Sequence, residues 1–200
     1  MIISVIMKHI KKKNKPIPKE WFFFNPINKV YDKYFFKISN NVGVIFFYNL
    51  QKERELFLKL LEPYILWCKI KKIQFIIQSS IYWANKFKAL GILMDSQSFS
   101  LNDYLSINFL KKKFLIAGKV HNLVEAKKFK NFYNLVFISN AFKTNSHPLR
   151  DNLPRSYFLQ ICSSLRKNLN FALGGVNAKN FKQLKNRNLY GFGAISYFKK

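Results

Sequence analysis

The amino-acid sequence predicts one α/β domain folded as a minimal (β/α)8 TIM barrel with a truncated last helix. From Trp21 onward, short apolar runs rich in β-branched and aromatic residues alternate with segments of helical period, and eight such runs are present. The 200 residues, 49% of them hydrophobic, suffice for one full core at the lower end of the barrel size range. Only two residues follow Phe198, too few for a closing helix. We therefore divide the chain into a basic N-terminal tail, 1–19, and a single barrel domain, 20–200.

The first half of the chain supplies four predicted strands. Apolar runs bounded by turn residues or helical segments place them at 21–24, 43–48, 73–78 and 91–94. Between the second and third strands, apolar residues recur at steps of three and four, which predicts a helix with one buried face. These residues are Leu56, Leu60, Leu61 and Ile65. Pro63 is expected to bend this helix.

The second half repeats the pattern and ends on a run that points to function. Its predicted strands lie at 113–120, 134–139, 171–175 and 190–196. The last run shows a strand, the glycine pair Gly174 and Gly175, a short helix, a glycine turn and a final strand. In (β/α)8 barrels the loops after strands seven and eight commonly hold a phosphate group. A phosphate site is therefore predicted at the carboxyl end of the last two strands.

The charge of the chain bears on its partners. A net charge of +26 is typical of proteins that bind nucleic acid or an anionic surface. Here the lysines are scattered among Asn, Ile and Phe along the whole length, and no nucleic-acid-binding motif accompanies them. We therefore predict no nucleic-acid partner and keep a basic nucleic-acid-associated protein as a remote alternative.

The N-terminal segment and the two cysteines bear on localisation. Residues 1–15 place a short apolar run before a basic block, the reverse order of a secretory signal, and that run is too short to cross a bilayer. Cys68 and Cys162 lack a neighbouring cysteine or histidine at a metal-ligand spacing, so we predict two buried thiols. We expect a cytoplasmic protein without a membrane partner, whose tail is mobile up to about Pro18.

Three segments of the second half resemble the superfamily of thiamine phosphate synthases and thiazole tautomerases, of which this chain looks like a divergent member. The family's strand-seven to strand-eight signature is similar to FALGGVNAKNFKQL (171–184) with YGFGAIS (190–196). The family's fifth strand and helix are similar to AGKVHNLVEAKK (117–128), and the family's strand-six loop is similar to VFISNAFKTNSHP (136–148). The resemblance covers about residues 21–198. It implies two anionic subsites at the C-terminal mouth of the barrel.

The first implied subsite holds the phosphate of a hydroxyethylthiazole phosphate. Its candidate residues are Gly174, Gly175, Ile195 and Ser196, whose backbone amides point at phosphate oxygens in the family. Glycine allows the backbone to approach a ligand closely, and the Ser196 hydroxyl adds a donor. The alternative is that the two glycines serve only tight packing of the barrel.

The second implied subsite holds a pyrophosphate through Mg²⁺, and here the chain departs from the family. Gln78 and Ser79 stand where synthases have an Asn-Asp pair, and Ser98 stands where a second aspartate is expected. Magnesium prefers carboxylate oxygens, so we expect an impaired metal site. Asp95 is the remaining acid nearby, and it is either a water-mediated ligand or a loop cap.

The basic side of the second subsite is altered too. The arginine that the family carries after strand two falls near Phe47, the strand-five serine is Lys119, and the strand-six lysine aligns with His147. Thr144 and Ser146 match hydroxyl positions of that loop. The four candidates Lys119, Thr144, Ser146 and His147 therefore predict a loosely held anion instead of a magnesium-ordered pyrophosphate.

His121 is the candidate catalytic residue. It falls where thiazole tautomerases carry a histidine proposed to move protons, and imidazole is suited to that task near neutral pH. Synthases also carry a histidine there, so His121 does not separate the two activities. The alternative is a histidine at a helix start with a structural hydrogen bond.

Three functions stay open at this stage. The resemblance implies a transferase of thiamine biosynthesis that joins the thiazole phosphate to a pyrimidine diphosphate, with thiamine phosphate and pyrophosphate as products. A thiazole tautomerase and a non-catalytic phosphate-ligand-binding barrel are the alternatives. The expected partner is a phosphorylated thiazole substrate or product. A homo-oligomer is left open, because segment 1–19 or a second subunit is needed to cover strand eight in place of the last helix.

Overall fold

Eight parallel strands form a closed barrel in which each strand pairs with its neighbour along the chain and the last returns to the first. The computed structural model describes residues 15–94, 109–144, 151–184 and 186–199. The strands are β1 (Glu20–Phe24), β2 (Val42–Phe46), β3 (Phe75–Ile77), β4 (Gly91–Met94), β5 (Leu115–Val120), β6 (Leu135–Ile138), β7 (Leu169–Leu173) and β8 (Leu189–Ala194). The predicted (β/α)8 fold is confirmed.

Helices alternate with the strands on the outside of the barrel. They are α1 (Asp32–Phe35), α2 (Arg54–Ile70), α3 (Ile81–Phe87), α4 (Leu123–Phe129), α5 (Arg155–Ser164) and α6 (Ala178–Leu184), with 3-10 turns at Lys29–Tyr31, Gln51–Glu53 and Ser196–Phe198. A helical stretch, 109–113, precedes β5 and occupies the start of the predicted fifth strand. No helix in the described ranges is long and apolar enough to cross a membrane.

The buried face of α2 differs from the predicted one. Leu56 is 49% exposed, whereas Phe57 beside it is fully buried. The remaining buried residues of this helix are Leu61, Tyr64, Ile65 and Cys68. The ring of Tyr64 packs 4.8 Å from that of Phe24, centroid to centroid. The face is therefore turned by one residue, because two aromatic rings of the helix bury more apolar surface than Leu56 does.

Large aromatic rings fill the inside of the barrel, and glycines on the neighbouring strands β2 and β8 make room for them. Trp21 and Phe23 of β1 point inward and pack edge-on against Phe137 of β6, at centroid distances of 6.5 and 5.0 Å. A Cβ on Gly43 would lie 2.5 Å from the Trp21 ring, and one on Gly193 would lie 2.6 Å from the Phe23 ring. The barrel interior is therefore a packed core.

Residues 15–19 close the amino-terminal end of the barrel. Ile17 is 4% exposed and belongs to the interior cluster. Its carbonyl accepts a hydrogen bond of 3.0 Å from the Tyr190 hydroxyl near the start of β8. Pro18 is buried as well. The expectation of a tail mobile up to about Pro18 is wrong for these residues, because an apolar side chain fills the open end of the barrel.

A 3-10 turn, Ser196–Phe198, follows β8 in the described part of the chain. The Phe198 ring lies 4.9 Å from the Phe22 ring on the outer face of β1. On the outer face of β8, the Phe192 ring lies 5.4 Å from Tyr197 and 5.2 Å from Phe181 of α6. Aromatic side chains from this turn and from α6 therefore contact the outer surface next to β8.

Candidate functional site

The described candidate residues gather at the carboxyl end of the barrel, because the carboxyl ends of parallel strands meet at one rim. Gln78 directly follows β3, His121 follows β5, Gly174 follows β7 and Ile195 follows β8. Four further candidates lie outside the described residues, namely Asp95, Ser98, Ser146 and His147. The rim around β5 to β8 is therefore the candidate site.

Two loops of this rim present backbone amides that donate to no described residue. Within the described part of the chain, no hydrogen bond is donated by the amides of Gly174, Gly175, Ile195 or Ser196. Gly174 and Gly175 have φ angles of +89° and +63°, and both are only partly buried. Successive amides in such a turn form a concave anion-binding surface. This arrangement suits a phosphate group.

The glycine turn also packs against the loop that follows β6. A Cβ on Gly175 would collide with the carbonyl oxygen of Lys143 and would lie 2.9 Å from that of Phe142. The amide of Phe142 donates a 3.0 Å hydrogen bond to the carbonyl of Gly174. Packing is therefore one role of the glycine pair, and it links the two loops that carry the predicted subsites.

The first turn of α6 is capped by its own side chains. The Asn177 side-chain oxygen accepts from the amides of Lys179 and Asn180 at 2.9 and 3.0 Å. Asn180 in turn donates to the carbonyl of Gly175 at 2.8 Å. The amides of Lys179 and Asn180 are thus occupied, whereas the four loop amides donate to no described residue. Sequence reasoning missed this pair of asparagines, although the spacing of N-x-x-N at a helix start signals a cap.

Lys119 brings a positive charge to the rim. Val120 belongs to the outer core cluster, so Lys119 faces the barrel interior, as strand alternation requires. Its ammonium lies 5.1 Å from the centroid of the Phe47 ring and 5.5 Å from that of Phe23. Such contacts attract a cation to the face of the ring. A β5 lysine thus contacts the ring that stands where the resemblance places an arginine.

The described residues after β3 do not fit a magnesium ion. The Gln78 side-chain oxygen accepts from the Tyr48 amide at 3.4 Å. The Ser79 hydroxyl is buried and has no hydrogen-bond partner among the described residues. The side-chain oxygens of Gln78 and Ser79 are both neutral, whereas magnesium prefers carboxylate ligands. Within the described ranges, no group of three or more His, Cys, Asp or Glu side chains could hold a metal ion.

His121 is paired with a carboxylate. Its ring Nδ1 lies 3.1 Å from Oε2 of Glu125, and the two side chains are 40% and 29% exposed. The same carboxylate oxygen accepts a 2.8 Å hydrogen bond from the backbone amide of His121. Asn122 caps α4 by accepting from the Glu125 amide at 2.8 Å. Sequence reasoning missed Glu125, which the N-x-x-E spacing of a capping box marks.

The most strongly displaced pKa values lie away from this rim. Burial raises the pKa of the Cys68 and Cys162 thiols from 9.0 to about 12. Burial also lowers the pKa of Lys111, which donates to the carbonyl of Asn131. The two thiols belong to the core cluster between the barrel and its helices. The two buried thiols confirm the sequence prediction for the cysteines.

Fold and site together define a (β/α)8 barrel whose carboxyl-end rim combines loop amides that donate to no described residue, a lysine and a carboxylate-paired histidine. Residues 37–198 match the family model described as thiamine monophosphate synthase. The chain belongs to the thiamine monophosphate synthase family.

Solved structures support the same fold. A thiamine phosphate pyrophosphorylase from Pyrococcus furiosus is 14% identical over 89% of this chain and 85% of its own, with a TM-score of 0.68. A second one, from Bacteroides thetaiotaomicron, is 17% identical over 90% and 84%, with a TM-score of 0.50. A tryptophan synthase α-subunit from Pyrococcus furiosus is 10% identical over 90% and 88%, with a TM-score of 0.60. A search of curated proteins gave no significant match.

Proposed function

We propose that the rim binds a phosphorylated thiazole of thiamine biosynthesis. The observation that carries this proposal is the set of four backbone amides, on the loops after β7 and β8, that donate no hydrogen bond within the described chain. Loop amides of this kind hold phosphate oxygens without any side-chain charge. Family membership supports the thiazole as the group that the phosphate carries.

The reaction proposed for the chain is synthase-type transfer with an impaired second subsite. Mg²⁺ neutralises the departing pyrophosphate when it is bound in a synthase, as the family resemblance implies. Gln78 and Ser79 offer neutral donors at this rim, so we assign no step to a metal. Among the described residues, the candidates for the second anion are Lys119 on β5 and Thr144 in the loop after β6. We therefore expect weak or absent synthase turnover.

Proton transfer by His121 is the second candidate activity, and the hydrogen bond to Glu125 favours it. A tautomerase removes a proton from one position of the thiazole and returns one to another, so a single group that accepts and donates is enough. An imidazole does both near neutral pH. The same rim without turnover would be the non-catalytic phosphate-ligand binder.

Calorimetric titration tests the binding proposal. We expect the wild-type protein to bind hydroxyethylthiazole phosphate equally well with magnesium and with a chelator, and to bind the unphosphorylated thiazole much more weakly. Equal affinity for the phosphorylated and unphosphorylated thiazole would refute the proposed phosphate site. Magnesium-dependent binding of the pyrimidine diphosphate would show that the second subsite is intact.

A matched pair of variants locates the binding site. Ser196→Glu puts a carboxylate beside the loop amides, whereas Ser163→Glu puts one on an exposed position near the end of α5, at the opposite end of the barrel. Two like charges about 4 Å apart near a protein surface repel by ~4 kcal/mol. We therefore expect Ser196→Glu to weaken binding by more than about tenfold and Ser163→Glu to leave it unchanged. Equal effects of the two variants would place the ligand elsewhere.

Turnover assays separate enzyme from binder. Both the synthase and the tautomerase reaction are measured on the wild type and on His121→Ala. General acid-base catalysis contributes about 10²–10⁴-fold, so a tautomerase that uses His121 loses that much of its rate. Binding without either reaction assigns the chain to the non-catalytic alternative.

The remaining expectations stay predictions. A cytoplasmic location, the absence of nucleic-acid and membrane partners, and the open question of a homo-oligomer are not decided by the rim. Light scattering settles the oligomeric state, and titration with DNA at two salt concentrations reveals whether the net charge of +26 acts on nucleic acid.

A further inference from the structure

We propose that Glu125 is the positioning residue of the rim histidine. It holds the proton of neutral His121 on Nδ1 and thereby presents Nε2 as the nitrogen that accepts and donates protons. The catalytic consequence rests on the proposed tautomerase activity. The assignment of the tautomer does not, because it concerns the free protein alone.

Glu125 contacts His121 both at the ring and at the backbone amide. Oε2 of Glu125 lies 3.1 Å from Nδ1 of His121 and accepts the backbone amide of the same residue at 2.8 Å. A carboxylate accepts hydrogen bonds and donates none, so the nitrogen that faces it carries the proton. In a neutral imidazole the other nitrogen then has the free lone pair. The reactive nitrogen of His121 is therefore Nε2.

The carboxylate is itself held in place. Its second oxygen, Oε1, accepts from the Asn122 side chain at 3.2 Å, and the Glu125 amide donates to the Asn122 side-chain oxygen at 2.8 Å. The Tyr157 hydroxyl of α5 accepts from the amide of Leu123 at 3.1 Å and ties the start of α4 to its neighbour. Glu125 thus reaches His121 from a fixed helix start.

A purely structural role for Glu125 would be capping of α4, and the chain offers a control for it. Asn122→Ala removes the side-chain cap of the same helix, at a cost of about 1 kcal/mol, together with its hydrogen bond to Oε1, but leaves Oε2 of Glu125 as the partner of the ring. Glu125→Leu removes the carboxylate and keeps a good helix former of similar length. The two variants separate loss of the helix cap from loss of the ring partner.

Nitrogen-15 NMR of the ring measures the tautomer directly. The chain has three histidines, so the His121 signals are assigned by their loss in His121→Ala. In the wild type and in Asn122→Ala, at a pH where the ring is neutral, we expect a protonated Nδ1 and an unprotonated Nε2. In Glu125→Leu this preference should be lost. A wild type with the proton on Nε2, or a Glu125→Leu spectrum equal to wild type, overturns the proposal.

Kinetics then test the catalytic consequence. Partners that orient a histidine are typically worth about 10–100-fold in activity, so Glu125→Leu should lower kcat by that factor with little change in KM. Glu125→Gln keeps an oxygen acceptor and should recover part of the loss, and Asn122→Ala, which keeps the carboxylate, should lower kcat much less than Glu125→Leu does. If the wild type shows no turnover, the proposed function fails while the NMR result still decides the role of Glu125.

Discussion

The contact between the glycine turn and the loop after β6 makes a quantitative prediction, because the two adjacent glycines differ in what a methyl group would meet. In Gly175→Ala the new Cβ collides with the carbonyl oxygen of Lys143, a backbone atom that cannot rotate away. In Gly174→Ala the new Cβ lies no closer than 3.1 Å to Asn140. Both glycines have positive φ, so each variant controls for the backbone strain of the other.

The expected magnitudes follow from these two terms. A left-handed backbone costs a residue with a Cβ about 1–2 kcal/mol, and both variants incur this cost. Overpacking against a fixed atom adds about 1–3 kcal/mol, which applies mainly to Gly175→Ala. We therefore expect a loss of unfolding free energy of about 2–5 kcal/mol for Gly175→Ala and about 1–2 kcal/mol for Gly174→Ala.

Urea unfolding measures both losses, with an unchanged m-value as the sign that two-state unfolding persists. The two proteins are also titrated with hydroxyethylthiazole phosphate, since movement of the glycine turn displaces the loop amides from their common ligand. A Gly175→Ala protein within about 0.5 kcal/mol of wild type, or more stable than Gly174→Ala, would refute the packing argument.

Three further predictions concern the rest of the barrel. Asn170→Ala should cost about 1–3 kcal/mol in urea unfolding, because the buried side-chain amide donates to the Leu165 carbonyl at 3.1 Å; a loss under 0.5 kcal/mol contradicts this. Ile17→Ala should cost about 2–4 kcal/mol if residue 17 fills the barrel end, whereas a mobile tail predicts no change. Cys68 and Cys162 should react with a thiol reagent only after unfolding, and rapid labelling of the native protein would count against their burial. Because burial raises both pKa values from 9.0 to about 12, only the unfolded chain releases these protons in that interval, so unfolding free energy should fall as pH rises through it.

Local sequence signals account for the strand order and for most element positions. The β4 strand, Gly91–Met94, coincides with its predicted range, because a buried parallel strand is a short apolar run with clear ends. The β3 strand is shorter than predicted, since only Phe75–Ile77 pairs with β2 and only Ile76 and Ile77 pair with β4. Strand identity is thus a local property, whereas strand length depends on pairing.

Long-range contacts explain what the sequence could not predict. The burial of Ile17 depends on an opening that exists only once the barrel has closed, and the partner of Gly175 is a carbonyl more than thirty residues earlier in the chain. The ring partner of His121 lies within one helical turn, so the N-x-x-E spacing could have revealed Glu125. The four amides of the rim were indicated by the glycine pair and the final strand, and the structure adds that they donate no hydrogen bond within the described chain.

The pairing of large inward rings with glycines bears on how this barrel tolerates sequence change. The space next to Phe23 exists because Gly193 has no side chain, so a smaller residue on β1 and a larger one on β8 would fill the same volume. Cores that conserve total volume accept many such exchanges. Selection on summed volume leaves individual residues free to drift in compensating pairs. Such drift is consistent with a barrel that keeps a TM-score of 0.68 to a structure with which it shares 14% identity.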